Sequence, residues 1–127
     1  MAVVVVDTSV LIDHLRGRSE ALARLDGAIA EGQHLVASVL TKVEVLAGMR
    51  SHERSSVRDL LAVLRWIEVD EPIADEAGRM ARKYRASHPG VDGTDLVIAA
   101  TTETVGGTLW TRNVKHFPMF PGLTAPY

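Results

Sequence analysis

The sequence predicts a three-layer α/β domain, with helices on both faces of a mostly parallel central sheet of four to five strands. Two observations carry that prediction. Short apolar runs rich in β-branched residues recur along the chain, and between them lie segments whose apolar side chains return at helical spacing. A length of 127 residues suits a single domain, 1–127, with enough chain to bury a core without disulfides or a structural metal.

The run from Ala2 to Val6 reads as a buried strand, because Val3 to Val6 are all β-branched and leave no polar face. Asp7-Thr8-Ser9 then supplies helix-capping side chains, and Val10-Leu11-Ile12 resumes the apolar pattern, giving strand, tight turn and helix. From Ser19 a second helix places Leu22, Leu25 and Ile29 on one face and closes at Gly32. His34 to Ala37 forms the next strand. Ser38 caps a third helix whose Val39, Val43 and Leu46 share a face, running to Gly48 or Met49. Val57, Leu60, Leu61 and Leu64 mark a fourth helix, and Ile67-Glu68-Val69 a third strand. Pro72 suits a helix N-terminus, and Ile73, Ala77, Met80 and Tyr84 follow at helical spacing until Pro89-Gly90. Asp92-Gly93-Thr94-Asp95 opens the most apolar helix, Leu96 to Ala100 at its heart, which ends at Gly106-Gly107. Thr108-Leu109-Trp110 is the fourth strand, and Leu123 to Ala125 is read as a short fifth at the edge.

Composition narrows the function by exclusion. Charged residues make up 24% of the chain and no stretch approaches a membrane span, so the expectation is a soluble globular protein with the cytoplasm as its default location. The absence of cysteine rules out thiolate metal sites and a disulfide framework. With a net charge of -2, the molecule as a whole does not attract nucleic acid, and any such contact requires a local basic patch. There is no G-x-G-x-x-G after the first strand and no P-loop, which removes the usual nucleotide-binding α/β readings.

In open parallel sheets ligands bind beyond the carboxyl ends of the strands, so polar residues there carry functional weight. Asp7 stands at such a place, where it reads either as a plain helix cap or as a site carboxylate. Glu44, flanked by Val43 and Val45, reads either as a partly buried carboxylate in want of a partner or as a member of a polar stripe. Asp95 projects from the first turn of the apolar helix, with Asp92 as its cap or a supporting group. If the three segments deliver Asp7, Glu44 and Asp95 to one edge of the sheet, their mutual repulsion calls for a cation. An all-oxygen donor set matches Mg²⁺ or Mn²⁺ rather than Zn²⁺.

Four segments in order resemble the PIN domain and, within it, the VapC toxins. They are Val4-Val5-Val6-Asp7-Thr8-Ser9, Val43-Glu44-Val45-Leu46-Ala47-Gly48, Asp95-Leu96-Val97-Ile98-Ala99-Ala100, and Thr111-Arg112-Asn113-Val114-Lys115-His116-Phe117. Carried over residue by residue, the resemblance implies Asp7, Glu44 and Asp95 as the acidic metal site and Asn113 at a fourth catalytic position. Some PIN domains have Asp at that position, so the neutral Asn113 is a departure. Thr8, Thr111 and Asp92 would support the carboxylates, and Arg16, Arg112 and Lys115, which neighbour the motifs, would meet RNA phosphates. The denser basic stretch of Arg79, Arg82, Lys83 and Arg85 reads instead as a solvated helix end.

The activity implied by the resemblance is Mg²⁺- or Mn²⁺-dependent hydrolysis of RNA phosphodiesters, leaving a 3′-hydroxyl and a 5′-phosphate. It further implies a toxin homodimer and a cognate VapB-like antitoxin that occludes the site. Leu11, Ile12, Leu46 and Met49 are candidates for the antitoxin groove, although core packing accounts for most such residues. Two rivals remain: a PIN-type nuclease of RNA processing outside any toxin–antitoxin pair, and a non-catalytic module that binds nucleic acid or a partner. The three acids argue against the second, since clustered like charges destabilise a fold that binds no cation.

Overall fold

The computed structural model describes residues 2–127. In chain order its elements are β1 (Val3–Val6), α1 (Thr8–Leu15), α2 (Ser19–Ala30), β2 (His34–Ser38), α3 (Val39–Ala47), α4 (Arg54–Ala62), β3 (Arg65–Ile67), α5 (Glu71–Tyr84), α6 (Gly93–Val105) and β4 (Thr108–Trp110). Single 3₁₀ turns at Ser51–Glu53 and Val114–His116 add to these. The four strands pair in parallel in the order β3-β2-β1-β4.

Alternation along the strands explains the three layers. Val5 of β1, Val36 of β2 and Leu109 of β4 point to one face, where they meet Ile73 and Met80 of α5 and Leu96, Ala99 and Ala100 of α6. Val4, Val6, Leu35 and Trp110 point to the other, against Val10 and Leu11 of α1, Leu25 of α2, Val45 of α3 and Leu60 of α4. Both faces of the sheet are therefore dry, as an all-parallel sheet requires.

The chain moves from β1 outward to β2 and β3, then returns to place β4 on the opposite side of β1. The strand order thus reverses between β1 and β4, which opens a crevice beyond their carboxyl ends. Seating β4 depends on the Gly106-Gly107 pair. Gly106 takes the left-handed conformation that ends α6, with φ of 65°. A Cβ at Gly107 would come within 3.0 Å of the Val3 carbonyl oxygen and 3.2 Å of Val5 Cγ2, so only glycine lets the turn pass this close to β1.

Four expectations need correction. Leu123 to Ala125 forms no strand, and the segment runs beside β4 without joining the ladder. The third strand is Arg65–Ile67 rather than 67–69, because Arg65 pairs with Val36 whereas Glu68 and Val69 are already exposed. On α2 the buried face is Ala21, Leu25 and Ala28, and Ile29 is half exposed. In α3 the buried face is Thr41 and Val45, so Val43 and Leu46 face outward, 62% and 44% exposed. Met49 is partly buried and Leu11 fully buried, both within the core.

Candidate active site

The crevice between β1 and β4 is an open cleft of about 530 Å³. Asp7, Asp92, Asp95, Glu44 and Asn113 all line it, together with Thr8, Ser9, Ile12, Asp13, Arg18, Arg112 and His116. Asp7 leaves the sheet at the end of β1, its N–H still donating to the Trp110 carbonyl oxygen at 2.9 Å. The side chain is only 5% exposed. It does cap α1, but the bond from the Ser9 N–H is long, at 3.4 Å. Two hydroxyls hold it more closely: Ser9 Oγ and Thr111 Oγ1 each donate to Asp7 Oδ2 at 2.8 Å. Capping and site membership are therefore not alternatives here.

Thr111 is fully buried immediately after β4, where its hydroxyl also accepts from the Asn113 N–H at 3.0 Å. Ser9 Oγ likewise accepts from the Arg112 N–H at 3.0 Å. These bonds stitch the ends of β1 and β4 together around one carboxylate, and they fix its rotamer.

Asp95 arrives from α6, in the helical layer on one face of the sheet. It forms a reciprocal capping box with Asp92: the Asp95 N–H donates to Asp92 Oδ1 at 2.9 Å, and the Asp92 N–H donates to Asp95 Oδ2 at 3.2 Å. Burial raises the Asp95 carboxyl to a pKa of about 6. The Asp92 N–H bond and the nearby His116 oppose that rise, while the charges of Asp92 and Asp7 add to it. His116 Nδ1 stands 3.3 Å from Asp95 Oδ2.

Glu44 reaches the cleft from α3 and is exposed rather than partly buried, since that helix turns Thr41 and Val45 inward. Thr8 Oγ1 donates to Glu44 Oε1 at 2.6 Å, tying the side chain to the start of α1. Of the cations read from the sequence, Arg112 lines the cleft, but Arg16 and Lys115 do not. Arg16 is engaged in an ion pair with the buried Glu53. Lys115 points to solvent from the 3₁₀ turn after Asn113. Ser9, Asp13, Arg18 and His116 are site residues that the sequence reading did not assign. Ser9 and His116 lie inside motif segments, and that position was their only available signal.

Among the described residues no three carboxylate or imidazole groups are close enough to enclose an ion by themselves. The donor set still fits a hard divalent cation. Mg²⁺ is commonly held by one or two carboxylates with water completing its octahedron, and Asp7 and Asp95 bring two buried carboxylates to one cleft, one from the end of β1 and the other from the start of α6. Burial is the main cause of the raised Asp95 pKa, with the nearby charges of Asp92 and Asp7 adding to it.

Residues 4–118 match the PIN domain family. The chain is 44% identical over 122 residues to Ribonuclease VapC19 of Mycobacterium tuberculosis, covering 96% of this chain and 98% of that protein. It is also 44% identical over 124 residues to Ribonuclease VapC10 of the same organism, covering 98% and 92%. Among solved structures it is similar to a toxin-antitoxin complex from Klebsiella pneumoniae, with a TM-score of 0.81 at 30% identity and 98% coverage of both chains. With the four motifs at one cleft and these relatives matched nearly end to end, the chain belongs to the PIN domain family and, within it, to the VapC ribonucleases.

Proposed function

We propose that this protein is a divalent-metal-dependent endoribonuclease and the toxic member of a toxin–antitoxin pair, held inactive by a VapB-like antitoxin and able to form a homodimer. The observation that carries the reading is the delivery of Asp7 from the end of β1 and Asp95 from the start of α6 into one open cleft, which Glu44 and Asp92 also line. The names of the relatives, ribonucleases of the VapC type, and the toxin–antitoxin complex among the similar structures support the same reading.

Asp7 and Asp95 would hold Mg²⁺ or Mn²⁺, and Glu44, on the same cleft, would contribute through water. When bound, such an ion supplies a water activated at neutral pH and offsets charge on a phosphoryl oxygen. The remaining work falls to the chain. Ser9 and Thr111 lock the Asp7 carboxylate in one orientation by donating to Oδ2. Thr8 restrains Glu44 at the rim, and Asp92 anchors Asp95 at the first turn of α6. The Asn113 side chain, on the cleft wall, offers an amide to a substrate phosphate or sugar, a neutral group where a further carboxylate would add repulsion.

The test is cleavage of a mixed RNA pool by purified, antitoxin-free protein with Mg²⁺, with Mn²⁺ and with EDTA, beside Asp95→Asn. Cleavage is expected with either metal and lost with EDTA or in the variant. A folded Asp95→Asn protein that still cuts RNA overturns the assignment of that carboxylate.

A further inference from the structure

The cleft is lined by five carboxylates, Asp7, Asp13, Glu44, Asp92 and Asp95, but by only two guanidinium groups, those of Arg18 and Arg112. A polyanion can enter such a field only along the side the cations define. These two arginines come from distant places, one before α2 and the other after β4, and a single residue touches both. Arg18 Cζ lies 5.2 Å from the centre of the Tyr127 ring and Arg112 Cζ lies 4.8 Å from it. The Tyr127 backbone carbonyl also accepts a hydrogen bond from Arg112 Nη1. Its phenol donates to Asp13 Oδ2 at 2.5 Å, the same oxygen that stands 3.4 Å from Arg18 Nη1. Burial, followed by this bond to Asp13, holds the phenol well above the ordinary tyrosine range and keeps it a donor.

We propose that Tyr127 is a positioning residue for RNA: its ring, carbonyl and hydroxyl hold the Arg18 and Arg112 guanidinia on one flank of the cleft, where they receive phosphates beside the scissile one. This rests on the ribonuclease reading above. The physical reason is preorganisation. Arg18 already stands within ion-pairing reach of two carboxylates, with Nη1 3.4 Å from Asp13 Oδ2 and Nε 3.5 Å from Glu20 Oε2, and the ring limits how far its guanidinium can turn toward them. The aromatic platform covers part of each guanidinium's surface and leaves its remaining donors, in a fixed plane, for phosphate. The hydroxyl of Tyr127 makes the shorter bond to the Asp13 oxygen, at 2.5 Å against 3.4 Å for Arg18 Nη1, and so weakens its hold on Arg18.

The experiment measures binding of a fluorescent single-stranded oligoribonucleotide to the full chain in EDTA across a salt series, alongside steady-state cleavage with Mg²⁺. Tyr127→Ala should weaken binding about tenfold and raise KM correspondingly, with kcat changed by less than about threefold. The dependence of log affinity on log salt should flatten by about 0.7 for each phosphate that the arginines no longer neutralise. Tyr127→Phe, which keeps the ring but releases Asp13 Oδ2, should bind more weakly than the natural protein and more tightly than Tyr127→Ala. In an Arg18→Gln, Arg112→Gln background, Tyr127→Ala should have no further effect on binding, whereas an equal further loss there overturns the proposal. If Tyr127→Ala fails to fold, the single Arg18→Gln and Arg112→Gln variants decide, and an unchanged salt slope in either overturns it. Failure of the natural protein to bind or cut RNA refutes the ribonuclease reading itself. Normal cleavage with no response to Tyr127→Ala refutes only the positioning role.

Discussion

Two aspartates, Asp7 and Asp70, hold the same local office in this molecule and differ in everything else. Each lies beyond the end of a parallel strand and caps the helix that follows, Asp7 for α1 and Asp70 for α5. Asp70 is exposed, and its Oδ1 accepts from the Ile73 N–H at 3.1 Å, which is an ordinary cap. Asp7 is buried with a longer capping bond, and two hydroxyls from Ser9 and Thr111 hold it. The difference comes from the sheet. β1 is central and has β4 beside it, so the residue after β1 meets a second strand end; β3 is an edge strand whose carboxyl end has no neighbour on its outer side. Asp7 lines a cleft because the strand order reverses beside it, whereas Asp70 only begins a helix.

The sharpest way to break this comparison is to remove both carboxylates in turn. Asp7→Ala should lower RNA cleavage by more than the roughly 100-fold that loss of a ligand's hydrogen-bond partner can cost, because Asp7 would hold the metal itself. Asp70→Ala should lower stability by about 1 kcal/mol through the lost cap and leave the cleavage rate unchanged. Thermal melts beside initial rates would separate the two.

The support can be tested without touching the carboxylate. Thr111→Val keeps the shape of the side chain but removes the hydroxyl from Asp7 Oδ2, and cleavage or metal affinity should fall roughly 10- to 100-fold. Asp95 supplies a pH test. Its folded pKa of about 6 lies above the ordinary Asp value of 3.8, so the folded state holds this proton more tightly than the unfolded chain does. The corresponding contribution to metal-free stability is full below pH 3.8 and is lost as pH rises through about 6. A metal must displace the same proton, so its affinity should rise about tenfold per pH unit up to about pH 6 and then level off, as calorimetric titration would show.

A second pair sharpens the point with the smallest effect. Thr41 and Thr111 are both fully buried, but the Thr41 hydroxyl has no partner among the described residues. Whereas Thr111→Val should cost activity, Thr41→Val should raise stability by about 1 kcal/mol, because it deletes a desolvated group that forms no bond. Chemical denaturation at constant m would check this.

What the sequence disclosed follows the same physics. β1, β4 and the helices α5 and α6 were legible because their burial is one-sided or complete, so that Val3 to Val6 or Ile73, Ala77 and Met80 leave little choice of face. α3 was misread because it is apolar nearly all round. Val39, Val43 and Leu46 repeat at helical spacing as convincingly as Thr41 and Val45 do, and only packing against the neighbouring elements selects the second face. Glu44 reads two ways, as a partly buried carboxylate or as a member of a polar stripe, and its exposure selects the second. β3 was displaced by two residues because a short edge strand buries too little to mark its ends. The acids themselves were legible by motif, but Ser9, Arg18 and Tyr127 were not, since their partners lie up to 114 residues away in the chain.

The close passage of Gly107 against β1 carries a consequence for anyone interpreting variants of this protein. Thr111 sits four residues further along, about 13 Å at the rise of a strand, so the glycine touches nothing in the cleft. Yet a methyl group there would push on the Val3 carbonyl and shift the seam between β1 and β4. The hydroxyl that orients Asp7 would move with that seam. A substitution at Gly107 would therefore present in an activity screen as a catalytic lesion, though its cause is a misaligned hinge line at the far end of the strand.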